Sequence, residues 1–155
     1  DLNKYYLFVL SQIKSKGIRP IVFLWHQGES DSANKIDKID DFKETIPLRK
    51  PKKLELGLSA SIYFNALQNI YETSQLNFPK SKFGIALVSI CTNKKEWAPI
   101  RNAQLKVAQD NINAFVSADS DKIIGNKKRI FCHFSSKGSK ILGEKYYSSI
   151  KKYLK

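Results

Sequence analysis

The chain has 155 residues, of which 42% are hydrophobic and 12% are aromatic, enough to form the core of one folded domain over residues 1–155. This composition excludes a disordered chain, and no apolar run is long enough for a membrane span. The formal net charge is +13, from 27 basic and 14 acidic residues, but only four of the basic residues are arginines. Since arginine is the side chain best suited to reading bases, we expect a lysine-rich surface rather than nucleic-acid binding.

The first half of the chain predicts a helix, a buried strand, a polar excursion and a second helix. Residues 2–14 carry apolar side chains at helical spacing. Residues 20–25 form a continuous apolar run, typical of a strand buried in a parallel sheet. Residues 31–53 are polar and contain two prolines, which predicts a long excursion with a short helix over residues 36–42. Helical spacing returns over residues 58–74.

The second half of the chain continues the alternation. Residues 83–90 predict a second buried strand, 96–110 a helix and 114–118 a short strand. Residues 130–131 predict a last strand end or a loop, and 135–154 a terminal helix. Alternating strands and helices favour an α/β domain with a parallel sheet and helices on both faces.

Metal and disulfide chemistry has little support in the sequence. The chain contains two cysteines, Cys91 and Cys132, and two histidines, with no CxxC pair. These counts argue against a disulfide framework and against a structural zinc site, so we expect no metal and no cofactor. Whether the two cysteines are neighbours across the sheet stays open. The densest basic stretch, residues 49–53, is the candidate site for an acidic glycan or another polyanion.

A cluster of polar side chains follows the first predicted strand directly. The cluster reads Trp25-His26-Gln27-Gly28-Glu29-Ser30-Asp31. The carboxyl ends of parallel strands are where open α/β sheets bind ligands. We therefore expect a site here, with Ser30 and Asp31 capping a helix or closing the loop.

A second polar cluster surrounds His133, between the last short apolar run and the terminal helix. A loop that enters a helix at the edge of a sheet can hold an imidazole as a general base. The alternative is an ordinary histidine whose ring is satisfied by hydrogen bonds.

Three segments of the chain resemble one family. Residues 25–31 (WHQGESD) resemble the WxQGExD block of the sialate O-acetylesterase-like and acetyl xylan esterase-like carbohydrate esterases, known as carbohydrate esterase family 6, in the SGNH (GDSL-like) hydrolase superfamily. Residues 100–105 (IRNAQL) resemble the family's R-x-x-Q segment, and residues 133–143 resemble the closing block that carries the catalytic histidine. The resemblance extends over residues 18–147.

The resemblance implies a three-layer α/β/α, flavodoxin-like fold and hydrolysis of an acetyl ester by a serine, without metal or cofactor. His133 matches the general base, and Gln27 and Gly28 match the block near the oxyanion hole. The side chain of Gln27 has an equal alternative, a hydrogen bond that fixes its loop. Trp25 and His26 are expected to shape the pocket wall.

The chain departs from the family before the histidine. Many relatives have an aspartate two or three residues earlier, where this chain has Ile130 and Phe131. The resemblance therefore makes Glu29 the expected triad acid, because some family members use the glutamate of that block. The alternatives are Asp119 and Asp121 as the acid, and for Glu29 a structural bond to nearby backbone N–H groups.

The chain also lacks the family's nucleophile block, which resembles Gly-Gln-Ser-Asn and follows the first strand. We expect the nucleophile upstream of Asp1, so that the domain is incomplete at its N-terminus and has the N-terminal remainder of the same protein as a partner. The absence of methionine agrees with this expectation. Serines within residues 57–61 are expected to form a helix N-cap instead.

The function predicted from the sequence is that of a carbohydrate O-acetylesterase acting on an acetylated sugar or glycan. One alternative is an O-acetyltransferase on the same scaffold. The others are a catalytically inactive glycan-binding module and a polyanion-binding module.

Overall fold

The computed structural model describes residues 2–29, 31, 52–90, 96–125, 129–130 and 132–154. In chain order the elements are α1 (Leu2–Ser15), β1 (Val22–Trp25), α2 (Lys52–Asn77), β2 (Lys82–Leu87), α3 (Ala98–Asp110), β3 (Ala114–Asp119), β4 (Arg129–Ile130), β5 (His133–Phe134) and α4 (Ser136–Ile150). Short 3-10 helices at Ser120–Lys122 and Lys151–Tyr153 follow β3 and α4.

The central sheet has three strands in the order β1-β2-β3, and both pairs are parallel. Trp25 lies beside Ile85 at the end of the β1–β2 ladder, so both strands end at the same edge. A small antiparallel ladder joins β4 to β5. The predicted α/β class, with a parallel sheet and alternating helices, is confirmed at this level.

Helices cover both faces of the sheet. One face packs against α2 and α3 through buried apolar side chains, among them Leu67, Phe83, Ile85, Ile100 and Val107. α1 joins this side through its buried Leu10 and through a hydrogen bond from the Tyr6 hydroxyl to the Ile70 carbonyl, 3.3 Å long. Successive strand residues point to opposite faces. Accordingly Phe115 contacts Tyr153, just after α4, with ring centroids 5.1 Å apart.

Two predicted element boundaries are wrong for physical reasons. The second strand ends at Leu87 rather than at residue 90, because side chains instead of a neighbouring strand bond the backbone N–H groups beyond it. α2 begins at Lys52, directly after Pro51, rather than at residue 58. Residues 57–61 therefore lie inside the helix, and their predicted role as its N-cap is wrong.

Several predictions fall outside the described residues. They concern Ser30, most of the excursion over residues 31–53 with its short helix at 36–42, and residues 49–51 of the polyanion candidate at 49–53. No helix in the described ranges is long and apolar enough to cross a membrane.

Gly84 lies in the middle of β2, facing neighbours that leave no space for a side chain. A Cβ atom there would lie 2.8 Å from Leu24 Cδ2 and 2.9 Å from Ser117 Cβ. We expect Gly84→Ala to lower the free energy of unfolding by about 1–3 kcal/mol, since overpacking a close-packed interior forces its neighbours to shift. Urea-induced unfolding measures the change.

The matched control is Gly143→Ala, on the exposed side of α4. A Cβ atom at Gly143 meets nothing within 4 Å, so alanine should raise the free energy of unfolding by about 0.5–1 kcal/mol through its better helix propensity. Equal stability of Gly84→Ala and the wild type would contradict the packing argument.

Candidate functional site

Residues from distant parts of the chain meet beyond the carboxyl end of β1. His26 follows the last residue of that strand, and its ring lies edge-on to Phe134, with centroids 5.9 Å apart. The Nδ1 atom of His26 is hydrogen-bonded to the hydroxyl of Tyr146 on α4. The segment after β1 and the segment that contains His133 are therefore neighbours in space.

The carboxylate of Glu29 is hydrogen-bonded to His26. Glu29 Oε1 lies 3.2 Å from His26 Nε2, and the two side chains are 18% and 24% exposed. Both ring nitrogens of His26 therefore have partners, and the imidazole is held between α4 and the segment after β1. Glu29 is thus bonded to His26. Among the described residues it makes no bond to the other histidine, His133.

His133 is exposed at the start of β5, where its backbone pairs with Ile130. Its neighbour Phe134 packs on His26. Since adjacent residues in a strand alternate in direction, the His133 side chain points away from the surface that Phe134 uses. The chain then turns into α4, whose N-cap Ser135 accepts a hydrogen bond of 3.2 Å from the Gly138 N–H.

The side chain of Gln27 is bonded within its own loop. Its Nε2 atom donates to the carboxylate of Asp31, which corresponds to the loop-fixing alternative considered for this residue. The carbonyl oxygen of Gln27 points instead toward the interior, where it accepts from the Tyr63 hydroxyl at 2.5 Å and from Gln104 Nε2 at 3.1 Å. The Trp25 Nε1–H donates a hydrogen bond of 3.4 Å to the same Tyr63 hydroxyl.

Gly28 occupies a position that only glycine fits. Its φ is +149°, and a Cβ atom would lie 2.5 Å from the carbonyl oxygen of Val88 and 2.6 Å from Gln104 Nε2. This close approach to the end of β2 explains a glycine in the polar cluster.

A buried carboxylate joins the ends of β2 and β3. Asp121 accepts hydrogen bonds from the N–H groups of Ser89 and Ile90 at 3.0 and 2.9 Å, and from Ser89 Oγ at 2.7 Å. Arg101 Nη1 on α3 lies 2.8 Å from Asp121 Oδ2, the oxygen that also accepts from Ser89 Oγ. Burial alone would raise the pKa of Asp121, but these hydrogen bonds outweigh it and lower the pKa below the ordinary 3.8.

The neighbouring Asp119 is also bound by Arg101. The guanidinium donates to both carboxylate oxygens at 3.0 Å each, a bidentate geometry. The two alternative triad acids, Asp119 and Asp121, are thus both tied to one arginine.

Sequence reasoning missed three members of this site. Tyr63 and Tyr146 occupy ordinary helical positions and carry no local signal. Gln104 lies in the segment that resembles the family's R-x-x-Q, one helical turn after Arg101, which predicts that both side chains project from the same face of α3.

Within the described ranges, no group of three or more His, Cys, Asp or Glu side chains has an arrangement that would hold a metal ion. Cys132, beside His133, is disulfide-bonded, a constraint that the sequence left open. Cys91 lies outside the described residues.

No protein-family model, no curated protein and no solved structure matches the chain.

We expect Asp121→Asn to lower the free energy of unfolding by about 3–5 kcal/mol, because it removes one partner of a buried charged pair. The matched control is Asp110→Asn, whose exposed pair with Lys106 should contribute less than about 1 kcal/mol. Chemical unfolding of both variants at pH 7 gives the comparison, and equal losses would contradict a special role for Asp121.

The same carboxylate should contribute to acid unfolding. Because its folded-state pKa is lowered, its stabilisation is complete above about pH 3.8 and is lost as the pH falls through the folded-state value. The free energy of unfolding of Asp121→Asn should therefore fall less steeply than that of the wild type below pH 3.8. Parallel acid limbs would show that Asp121 does not contribute.

Proposed function

We propose that this chain belongs to a carbohydrate O-acetylesterase of the SGNH type, with a three-layer flavodoxin-like fold, that deacetylates a sugar or glycan through a serine acyl-enzyme. The observation that carries the proposal is the convergence of the three segments that resemble the esterase blocks. Gln104 of the second segment bonds the Gln27 carbonyl of the first, and His26 of the first contacts Phe134 of the third. They meet at the carboxyl edge of a parallel sheet, where such folds bind ligands.

His133 is the general base of this proposal. A base needs an imidazole nitrogen that can reach the nucleophile, and both nitrogens of His26 are bonded, to Tyr146 and Glu29. The side chain of His133 is exposed, and its neighbour in the chain, Phe134, packs on His26. The accessibility of His133 supports the transfer of a proton from the serine to this histidine.

Glu29 is the proposed triad acid, and the backbone around Gln27 and Gly28 is the proposed oxyanion-binding loop. In the structure the half-buried Glu29 carboxylate is bonded to His26, so the proposed role requires it to reach His133, whose imidazolium its charge would then stabilise. Trp25 and His26 are proposed to form the pocket wall beside the acetylated carbohydrate.

The nucleophile is proposed to come from outside residues 1–155. Among the described residues β1 is an edge strand, and its Leu24 is 43% exposed. A further strand beside β1 would carry a serine toward the same carboxyl edge. This arrangement supports an active site completed by another segment of the full-length protein.

Acetate release and acetyl transfer separate the esterase from its closest alternative. The full-length protein is incubated with an O-acetylated sugar, with and without a second sugar as acceptor. Free acetate as the main product supports the esterase, whereas transfer to the added sugar in preference to water identifies a transferase. Binding of the sugar with neither product identifies a glycan-binding module.

We expect His133→Ala to lower kcat for acetyl-ester hydrolysis by about 100- to 10,000-fold, the range for loss of a general base. Turnover of 4-nitrophenyl acetate by the full-length protein measures it, with circular dichroism to verify folding. His26→Ala is the comparison. Unchanged turnover in the His133 variant together with lost turnover in the His26 variant would transfer the base role to His26.

We expect Glu29→Gln to lower kcat by about 100-fold or more, because the amide keeps the shape of the side chain but not the charge that stabilises an imidazolium. The matched control is Glu144→Gln, at an exposed position on α4. Full activity of Glu29→Gln in the same assay would move the acid role to another residue.

A further inference from the structure

We infer that Gln104 and Tyr63 are positioning residues, which fix the peptide between Gln27 and Gly28 so that the Gly28 N–H is a preformed donor for an oxyanion at the carboxyl edge of the sheet. The inference deepens the proposed esterase function and rests on it. Neither residue touches the reacting atoms. Both act through the carbonyl group of Gln27.

Gln104 bridges the ends of two neighbouring strands. Its side chain is fully buried, and its amide bonds Val88 in both directions: Oε1 accepts from the Val88 N–H at 2.9 Å, and Nε2 donates to the Val88 carbonyl at 3.0 Å. The same Nε2 lies 3.1 Å from both the Gln27 carbonyl oxygen and the Tyr63 hydroxyl, which share its second N–H. The side-chain amide thus occupies the place of a strand peptide where the β1–β2 ladder has ended.

Tyr63 provides the second hold on the same carbonyl. Its hydroxyl donates to the Gln27 oxygen at 2.5 Å and accepts from Gln104 Nε2 at 3.1 Å and Trp25 Nε1 at 3.4 Å. Burial raises the pKa of Tyr63 to about 12, so that the hydroxyl remains a donor throughout the neutral range.

The planar peptide transmits this restraint to Gly28. In a trans peptide the C=O and the following N–H point in opposite directions, and none of the described peptide bonds is cis. Because Gln104 and Tyr63 hold the Gln27 oxygen on the interior side, the Gly28 N–H is directed away from them. The close approach of Gly28 to the Val88 carbonyl prevents the peptide from shifting inward.

A preoriented donor stabilises a developing oxyanion without reorganising during the reaction, and loss of one such donor costs about 100- to 1,000-fold in kcat. Tyr63→Phe removes one of the two holds and should lower kcat about 10-fold, while KM changes less than about 2-fold. Gln104→Met removes the other and should lower kcat at least as far. The KM-against-kcat split distinguishes positioning from general damage to the fold.

The matched control is Tyr71→Phe. Tyr71 lies on the same helix α2 and in the same core as Tyr63, and the substitution removes the same hydroxyl without touching Gln27. All variants are made in the full-length protein and assayed with 4-nitrophenyl acetate. Full kcat in Tyr63→Phe, or equal losses in Tyr63→Phe and Tyr71→Phe, would overturn the inference.

The amide signal of Gly28 gives a readout that does not depend on activity. In ¹⁵N-labelled protein, Tyr63→Phe should shift the Gly28 cross-peak and speed its hydrogen exchange, and Tyr71→Phe should do neither. An inactive wild type would overturn the proposed function and the catalytic part of the inference, while the amide signal still decides whether Tyr63 restrains the peptide between Gln27 and Gly28. An unchanged Gly28 signal in both tyrosine variants would show that it does not.

Discussion

The side-chain amide of Gln104 connects the two strands that form the candidate site. β1 and β2 pair as far as Trp25 and Ile85, and beyond that point the backbone ladder ends. The amide then bonds Val88 on one side and Gln27 on the other. Without it, the buried N–H and C=O groups of Val88 would lose their partner, at about 1–3 kcal/mol each, and the Gln27 carbonyl would keep only the Tyr63 hydroxyl. The conformation of the loop that contains Gly28 therefore depends on a side chain from α3.

Arg101 gives α3 a second attachment to the same edge. It lies one turn before Gln104 and binds Asp119 and Asp121 at the end of β3, while Asp121 accepts from the backbone after β2. One helix face thus ties down the ends of all three strands. This explains why residues 88–90 are buried although none of the described strands pairs with them. It also gives the buried side chains of Gln104 and Asp121 hydrogen-bond partners at this edge.

Local patterns predicted the parts of the fold that depend on local physics. Apolar runs marked the strands, and the polar residues after Trp25 marked the edge of the sheet. The end of β2 was predicted three residues too far along because residues 88–90 are as apolar and buried as a strand. These residues differ from a strand only because their backbone N–H groups bond the distant side chains of Gln104 and Asp121 instead of another strand. The start of α2 was missed because Gly57 lowers helix propensity without preventing a helix that begins after Pro51.

The pairing of Glu29 with His26 could likewise not be predicted from the local sequence. The two residues are three apart, and sequence alone leaves open whether the carboxylate bonds that histidine, the other histidine or the backbone. Tyr146, 120 residues later, decides the orientation of His26 because it binds the opposite ring nitrogen. An imidazole bonded at both nitrogens is suited to hold a carboxylate and an aromatic wall in place. The two histidines of this chain therefore differ in their surroundings, because His26 is bonded at both ring nitrogens and the side chain of His133 is exposed.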